Sequence, residues 1–279
     1  MMRAIAALVL ICGPWWFCAQ AAPAGCARES LGAAVGRYLD ALKIGNPALM
    51  RLAPGAKYIE NRKELPVGEG LLRSGLELDF HRSFLDAEAC ETFTEIIHTG
   101  SHPYVIGTRL KVADGNIAEI ESLVTDRDDW LFNAENYLKY SSAEKWDVLP
   151  AARRSGRQTL IQAANAYFDV FADPANSSKV PWGVPCERLE GGIYTNPKGE
   201  PNPSCTGGPP LQGSVKITNR RFIVDPDMGT VVGQVDFGAE NGWPDTHTFR
   251  LEDGKIRYVH TLTVCPNGCE LPLPKSKVE

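Results

Sequence analysis

Two histidines, a carboxylate and a tyrosine flank an Asp-Gly pair near the end of the chain. An Asp-Gly pair between two strand-like stretches predicts a two-residue hairpin turn, which fixes the register of the strands. The opposed pairs are then His247 with His260, Phe249 with Tyr258, Arg250 with Arg257 and Asp245 with Leu262. Directly opposed arginines repel, so their face is predicted to be solvated. The inward face then carries Asp245, His247, Phe249, Tyr258, His260 and Leu262.

This inward face is suited to proton transfer. Asp245 can orient the imidazole of His247 and tune it for general acid/base work near neutral pH. His247 is therefore the predicted acid/base, with Tyr258 and His260 as hydrogen-bond donors to a developing oxyanion. The alternative is a hydrogen-bonded structural pair on a half-buried sheet.

An earlier hairpin around Asp114-Gly115 repeats the pattern. The same counting sets Thr108 opposite Glu121 and gives Glu121 the position of His260. An inward glutamate on an apolar sheet has a raised pKa and can act as a base. The alternative is an exposed strand face.

The elements that hold these residues occur twice. One apolar helical face is predicted in each half, and its members are Leu31, Val35, Tyr38 and Leu42 in the first half and Leu160, Ala164, Tyr167 and Phe171 in the second. Tyr38 and Tyr167 are 129 residues apart, whereas Asp114 and Asp253 are 139 apart. The second copy therefore has about ten extra residues, which we assign to a Pro- and Gly-rich loop at 196–213. We predict two α+β modules, at 22–148 and 149–279.

Composition and motifs exclude several classes of function. The formal charge of -5 and the lack of a Lys/Arg cluster argue against nucleic acid as a partner. The chain has no Gly-x-Ser-x-Gly, phosphate-binding Gly-rich loop or His-Glu-x-x-His motif. We expect no cofactor and no metal.

The first 21 residues have the form of a secretory signal peptide, with Arg3, an apolar run and Ala19-Gln20-Ala21. We predict a secreted or secretory-lumen protein without a membrane segment after cleavage; an uncleaved anchor is the alternative. Six cysteines remain, and the module boundary favours the disulfides Cys26–Cys90, Cys186–Cys205 and Cys265–Cys269. Asn176 begins a glycosylation sequon.

The order helix, short helix, hairpin and long antiparallel strands resembles the NTF2-like superfamily (SnoaL-like and ketosteroid-isomerase-like proteins). Residues 49–70 (LMRLAPGAKYIENRKELPVGEG), 127–134 (RDDWLFNA) and 244–250 (PDTHTFR) are similar to secreted fungal proteins of unassigned function. The resemblance implies two tandem cone modules, each a curved antiparallel sheet packed on helices around an apolar pocket with acid/base side chains.

We therefore expect a secretory-pathway enzyme that isomerises, dehydrates, cyclises or couples a small hydrophobic secondary metabolite without a cofactor. Duplication suggests a monomer that contains its own pseudo-dimer. The alternatives are a non-catalytic secreted binder or effector, and a carbohydrate-active protein in which Trp182 and Trp243 line an open groove.

Overall fold

The fold is α+β and contains two six-stranded mixed sheets. A computed structural model of the chain describes residues 26–206, 215–238 and 241–269. The predicted signal peptide, 1–21, lies outside these ranges, as does part of the predicted loop at 196–213.

The first sheet has the strand order β2-β1-β6-β5-β4-β3. Its strands are β1 (Leu52–Glu60), β2 (Lys63–Leu65), β3 (Phe80–Asp86), β4 (Glu91–His98), β5 (Tyr104–Ala113) and β6 (Asn116–Thr125). All neighbours are antiparallel except β1 and β6, which run parallel.

The second sheet repeats this order as β8-β7-β12-β11-β10-β9. Its strands are β7 (Trp182–Glu190), β8 (Ile193–Tyr194), β9 (Ile217–Asp225), β10 (Thr230–Phe237), β11 (Trp243–Glu252) and β12 (Lys255–Thr263). Here β7 and β12 are the parallel pair. The purely antiparallel sheets predicted from the sequence are thus wrong in one strand pair of each sheet.

One long helix packs on each sheet, α1 (Arg28–Ile44) on the first and α3 (Arg157–Ala172) on the second. All eight residues predicted for their apolar faces are buried, which confirms the helical repeat. A third helix, α2 (Ala134–Ala143), lies between the two sheets in the sequence. Short 3-10 helices occupy Pro47–Leu49, Gly70–Arg73, Ala151–Arg153, Pro174–Lys179 and Pro226–Met228.

The sheets pack against each other through the faces that point away from α1 and α3. Phe84 and Phe93 of the first sheet form a buried cluster with Ile223, Val232 and Tyr258 of the second. The layers are therefore helix, sheet, sheet and helix.

Two equivalent ion pairs connect the halves, each between the start of a helix in one half and the end of a strand in the other. Arg28, at the start of α1, contacts Asp225 at 2.6 Å, and Arg157, at the start of α3, contacts Asp86 at 2.7 Å. The backbone N–H of Leu85 donates to Asp225, and that of Val224 donates to Asp86, each at 2.8 Å. The halves thus contact each other through equivalent positions.

The predicted hairpin registers are wrong by one residue. A bulge between Arg250 and Leu251 pairs His247 with Thr261 instead of His260. A bulge between Lys111 and Val112 likewise pairs Thr108 with Ser122 instead of Glu121. Because successive residues point to opposite faces, this slip moves one strand of each hairpin to the other face.

The three predicted disulfides are formed, Cys26–Cys90, Cys186–Cys205 and Cys265–Cys269. They fit a protein that folds in an oxidising compartment and is secreted or extracellular. In the described ranges, no helix has the length and apolar character needed to cross a bilayer.

Candidate functional site

A cavity of about 240 Å³ lies on the α3-facing side of the second sheet. Its aromatic lining consists of Trp130, Phe171, Phe237 and Trp243. Its polar lining consists of Glu190, Asp245, His247, Thr261 and Thr263. An apolar wall with a few converging polar groups is the usual character of a small-molecule site.

Asp245 and His247 form a buried pair in this cavity, as predicted from their spacing on one strand. Asp245 Oδ1 lies 2.6 Å from His247 Nδ1, and the Thr263 hydroxyl donates to Asp245 Oδ2 at 2.5 Å. A carboxylate beside Nδ1 keeps the N–H on that nitrogen and leaves the lone pair of Nε2 available. No described residue hydrogen-bonds Nε2, and His247 lines the cavity.

Helix α3 fixes the plane of the His247 ring. The ring centroids of Tyr167 and Phe168 lie 5.4 and 5.2 Å from it, and Phe249 stacks on it from the same strand at 5.9 Å. Gly233 on the next strand leaves room for Phe168, because a Cβ there would lie 2.7 Å from that ring. The imidazole is therefore held by packing as well as by Asp245.

The chain between the two halves supplies one wall of the cavity. Trp130 Nε1 donates to Glu190 Oε1 at 2.9 Å, and the Cys265 N–H donates to Asp129 Oδ1 at 2.7 Å. Gly191 and Gly192 allow this close approach, because a Cβ on Gly192 would lie 2.4 Å from that of Asn133. We call residues 129–133 the strap.

Two hydroxyls near His247 are buried without a partner in the described structure, Thr261 Oγ1 and Tyr167 OH. Burial raises the pKa of Tyr167, so its hydroxyl stays protonated at neutral pH. Thr261 lies beside His247 on one side and Glu190 on the other. Buried polar groups without partners are uncommon, so the Thr261 hydroxyl, which lines the cavity, points to a ligand or water there.

The first half has a different interior at the equivalent positions. Ile106 and Thr108 occupy the places of Asp245 and His247. Tyr38, the counterpart of Tyr167, bonds Thr108 at 2.9 Å, and Thr108 bonds Ser122 at 3.0 Å. The tyrosine that lacks a partner in the second half is therefore satisfied in the first.

Tyr258 and His260 do not join this site, contrary to the prediction. The register slip puts both on the face that packs against the first sheet, where His260 is 1% exposed. His260 bonds Glu144 at 2.7 Å and Glu95 at 3.0 Å. Burial alone lowers the pKa of His260, but the charges and hydrogen bonds of Glu144 and Glu95 outweigh it and raise the pKa to about 9. Tyr258 stacks on Trp146 at 5.5 Å.

Glu121 also lies on the face between the sheets and is not the predicted base with a raised pKa. Burial acts to raise the pKa of Glu121, but ion pairs with Arg221 and Arg109 lower it below its ordinary value. Its equivalence to His260 holds, because both occupy the same place in their sheets.

Asn176 lies half-buried in the short helix Pro174–Lys179, and its amide donates to the Asp169 carbonyl at 3.0 Å. Its glycosylation stays a prediction. In the described residues, no three His, Cys, Asp or Glu side chains are grouped as a metal site.

Sequence reasoning missed Thr261, Thr263, Glu190 and Trp130. The first two alternate along β12 with the residues that were proposed, so the bulge alone concealed them. Glu190 and Trp130 reach the cavity through a parallel strand pair and a long-range contact, for which the local pattern holds no signal.

These features define a class: an α+β protein with duplicated sheets and one aromatic cavity that contains a His-Asp pair. Residues 153–263, which include α3 and its whole sheet, match a family model described as "Domain of unknown function (DUF8021)". No curated protein matches the chain.

Proposed function

We propose that the chain is a tandem NTF2-like protein whose second module catalyses proton transfer on a small, largely apolar molecule. The observation that carries this proposal is the His-Asp pair, in which Asp245 holds Nδ1 of His247 and the His247 side chain lines an aromatic cavity. The repeated order of helix and sheet supports the superfamily, and the back-to-back sheets support an internal pseudo-dimer.

The proposed chemistry uses His247 as both base and acid. Nε2 takes a proton from carbon or oxygen of the ligand, and Asp245 stabilises the imidazolium that forms. The Thr261 hydroxyl can donate to the oxygen that becomes negative. His247 then returns the proton at another atom, which gives isomerisation, or to a leaving hydroxyl, which gives dehydration.

The cavity limits the size of the ligand. Its volume of about 240 Å³ exceeds the roughly 150 Å³ that holds benzene and falls below the roughly 300 Å³ at which drug-sized sites begin. We therefore propose a substrate built on a single ring.

Solvent exchange of carbon-bound protons tests this function without knowledge of the natural substrate. The secreted protein is incubated in D2O with a panel of monocyclic ketones and enones, and deuterium uptake is followed by NMR. We expect uptake next to the carbonyl, and we expect His247→Gln to slow it by about 10² or more. His81→Gln is the matched control, because His81 is exposed on β3.

Each outcome separates the alternatives. Binding of the ketones without exchange supports the non-catalytic binder and rejects the enzyme. Exchange that survives in His247→Gln rejects the role of His247, and neither binding nor exchange rejects the proposal as a whole. The carbohydrate alternative has less support, because Trp182 does not line the cavity and instead donates to the Ser177 carbonyl at 3.0 Å.

A further inference from the structure

A second concavity, of about 490 Å³, lies at the seam between the two sheets. Arg62 and Glu121 line it from the first half, and Arg221, Gln234 and Asp236 line it from the second. We call it the seam groove. Its volume falls within the roughly 300–1,000 Å³ of small-molecule sites.

The seam groove is the counterpart of a closed contact elsewhere in the interface. In the strand registers Gln234 takes the place of Glu95, and Glu121 takes the place of His260. Glu95 and His260 bond each other at 3.0 Å. Gln234 and Glu121 are not bonded, because Glu121 is held by Arg221 and Arg109, so the interface stays open at this position.

Gln234 is buried without a partner for its carbonyl. It is 5% exposed, and no described residue hydrogen-bonds Oε1. The preceding residue, Gly233, faces Phe168 of α3, so the side chain of Gln234 points to the opposite face and into the seam. A buried acceptor without a donor is costly, and a ligand that donates to it removes that cost.

The charged groups of the groove neutralise each other. Arg221 makes two bonds to Glu121, at 2.9 and 2.5 Å, and Arg62 bonds Asp236. An ionic ligand finds no unbalanced charge on Arg221 or Arg62, because each is already paired with a carboxylate. A neutral ligand leaves both pairs in place and still finds free N–H groups, because a guanidinium has five of them.

Contacts within the protein hold the lining residues of the groove in place. Arg62 and Asn219 adopt left-handed backbone angles, with φ of 68° and 50°, and both donate to Asp236. Asn61 fixes the turn that presents Arg62, by bonds of 2.8 and 3.0 Å to the backbone of Val124. Preorganised donors reduce the ordering cost of binding.

We propose that the seam groove binds a neutral polyhydroxylated ligand, namely a short oligosaccharide. A hydroxyl both donates and accepts, so it satisfies the Gln234 carbonyl and the guanidinium N–H groups together. The lining of this site shares Asp245 with that of the His247 cavity, but the proposal does not depend on the proton transfer proposed there.

Titration of the secreted protein with neutral and charged probes tests the proposal. Maltotriose, cellotriose and triacetylchitotriose are the neutral probes, glucuronate and inorganic sulfate are the charged ones, and calorimetry with saturation-transfer NMR is the readout. We expect at least one neutral probe to bind, and we expect Gln234→Leu to weaken it by about threefold to tenfold. Gln162→Leu, on the exposed side of α3, is the matched control and should bind as the wild type does.

Mapping the binding site by NMR in the unsubstituted protein gives a test that does not depend on whether a variant folds. On binding, the guanidinium resonances of Arg62 and Arg221 should shift, whereas the resonances of Thr261, which lines only the His247 cavity, should not. Binding of the charged probes alone, binding unchanged in Gln234→Leu, shifts confined to the His247 cavity, or no binding of any neutral probe each overturn the proposal.

Discussion

At the scale of single residues, the duplication allows each residue of the site to be compared with its equivalent in the first half. The two halves share a helix tyrosine and a glutamate on the parallel strand, Tyr38 and Glu60 in one and Tyr167 and Glu190 in the other. They differ where Ile106 and Thr108 are replaced by Asp245 and His247. The replacement leaves Tyr167 without the bond that Tyr38 makes to Thr108, so the second interior has unused hydrogen-bonding capacity.

Thr261 should determine which ligands the cavity prefers. We expect Thr261→Val to weaken binding of cyclohexanone by about 0.5–1.5 kcal/mol, or roughly two- to tenfold, because it removes a hydrogen bond without changing shape. Methylenecyclohexane, which lacks the oxygen, should bind both proteins alike. Competition calorimetry measures both ligands.

The control for this change is Thr92→Val, because Thr92 is also buried without a partner for its hydroxyl but lies on β4 of the first sheet. It should leave both affinities unchanged. An equal loss for both ligands in Thr261→Val would mean that Thr261 shapes the cavity and does not bind the ligand.

At the scale of elements, the strap joins the first half to the cavity of the second. Its position depends on two glycines after β7, where the strap backbone approaches closely. Trp130 is the only part of this segment that reaches Glu190 through a described hydrogen bond. The cavity is therefore incomplete without the chain between the two halves.

A methyl group on Gly192 should displace the strap. Its Cβ would lie 2.7 Å from the backbone nitrogen of Asn133, so we expect Gly192→Ala to destabilise the protein by about 1–3 kcal/mol. Ligand affinity in the cavity should fall with it, because Trp130 moves. Thermal unfolding and tryptophan fluorescence measure the two effects.

Gly36→Ala is the comparison, because Gly36 is exposed on α1 with nothing within 4 Å of an added Cβ. There alanine should stabilise the helix by about 0.5–1 kcal/mol. If Gly192→Ala unfolds at the wild-type temperature and keeps its ligand affinity, the strap does not form the wall that we describe.

Helices and strands could be predicted where the signal for them lies in neighbouring residues of the sequence. Helical periodicity identified both apolar faces, and alternation placed Asp245 and His247 on one face of β11. The bulge at Arg250 and Leu251 has no such signal, because it depends on how β11 meets a neighbour, and it reversed the assignment of Tyr258 and His260. The parallel pairing of β1 with β6 and of β7 with β12 was not predicted for the same reason, since each pair joins residues far apart in sequence.

At the scale of the whole molecule, a buried ionic group lies between the two sheets. His260 bonds Glu95 of the first sheet and Glu144, which follows α2, and Arg82 lies 3.8 Å from Glu95. Burial acts to raise the pKa of Glu95, but His260 and Arg82 lower it below its ordinary value. The group therefore holds the two halves together in its charged form.

Stability should fall at alkaline pH as His260 loses its proton. The pKa of His260 is about 9 in the folded protein and about 6.5 in an unfolded chain. The contribution is fully present below pH ~6.5 and is lost as pH rises through ~9, with a slope of at most about 1.4 kcal/mol per pH unit. Denaturant unfolding across this window measures it.

His260→Gln should be less stable at neutral pH, because Glu95 and Glu144 then lack a cation between them. Its free energy of unfolding should change less between pH ~6.5 and ~9 than that of the wild type. Parallel curves for the two proteins would show that His260 does not stay protonated in the fold.

The covalent link between two back-to-back sheets also changes how the assembly responds to dilution. Two separate chains that meet through such a face come apart below their dissociation constant, whereas tethered halves meet at a fixed effective concentration. The interface between the halves therefore stays intact on dilution. Because the halves belong to one chain, their sequences need not be identical. Glu95 of the first half faces His260 across the seam, whereas the position equivalent to Glu95 in the second half carries the amide of Gln234.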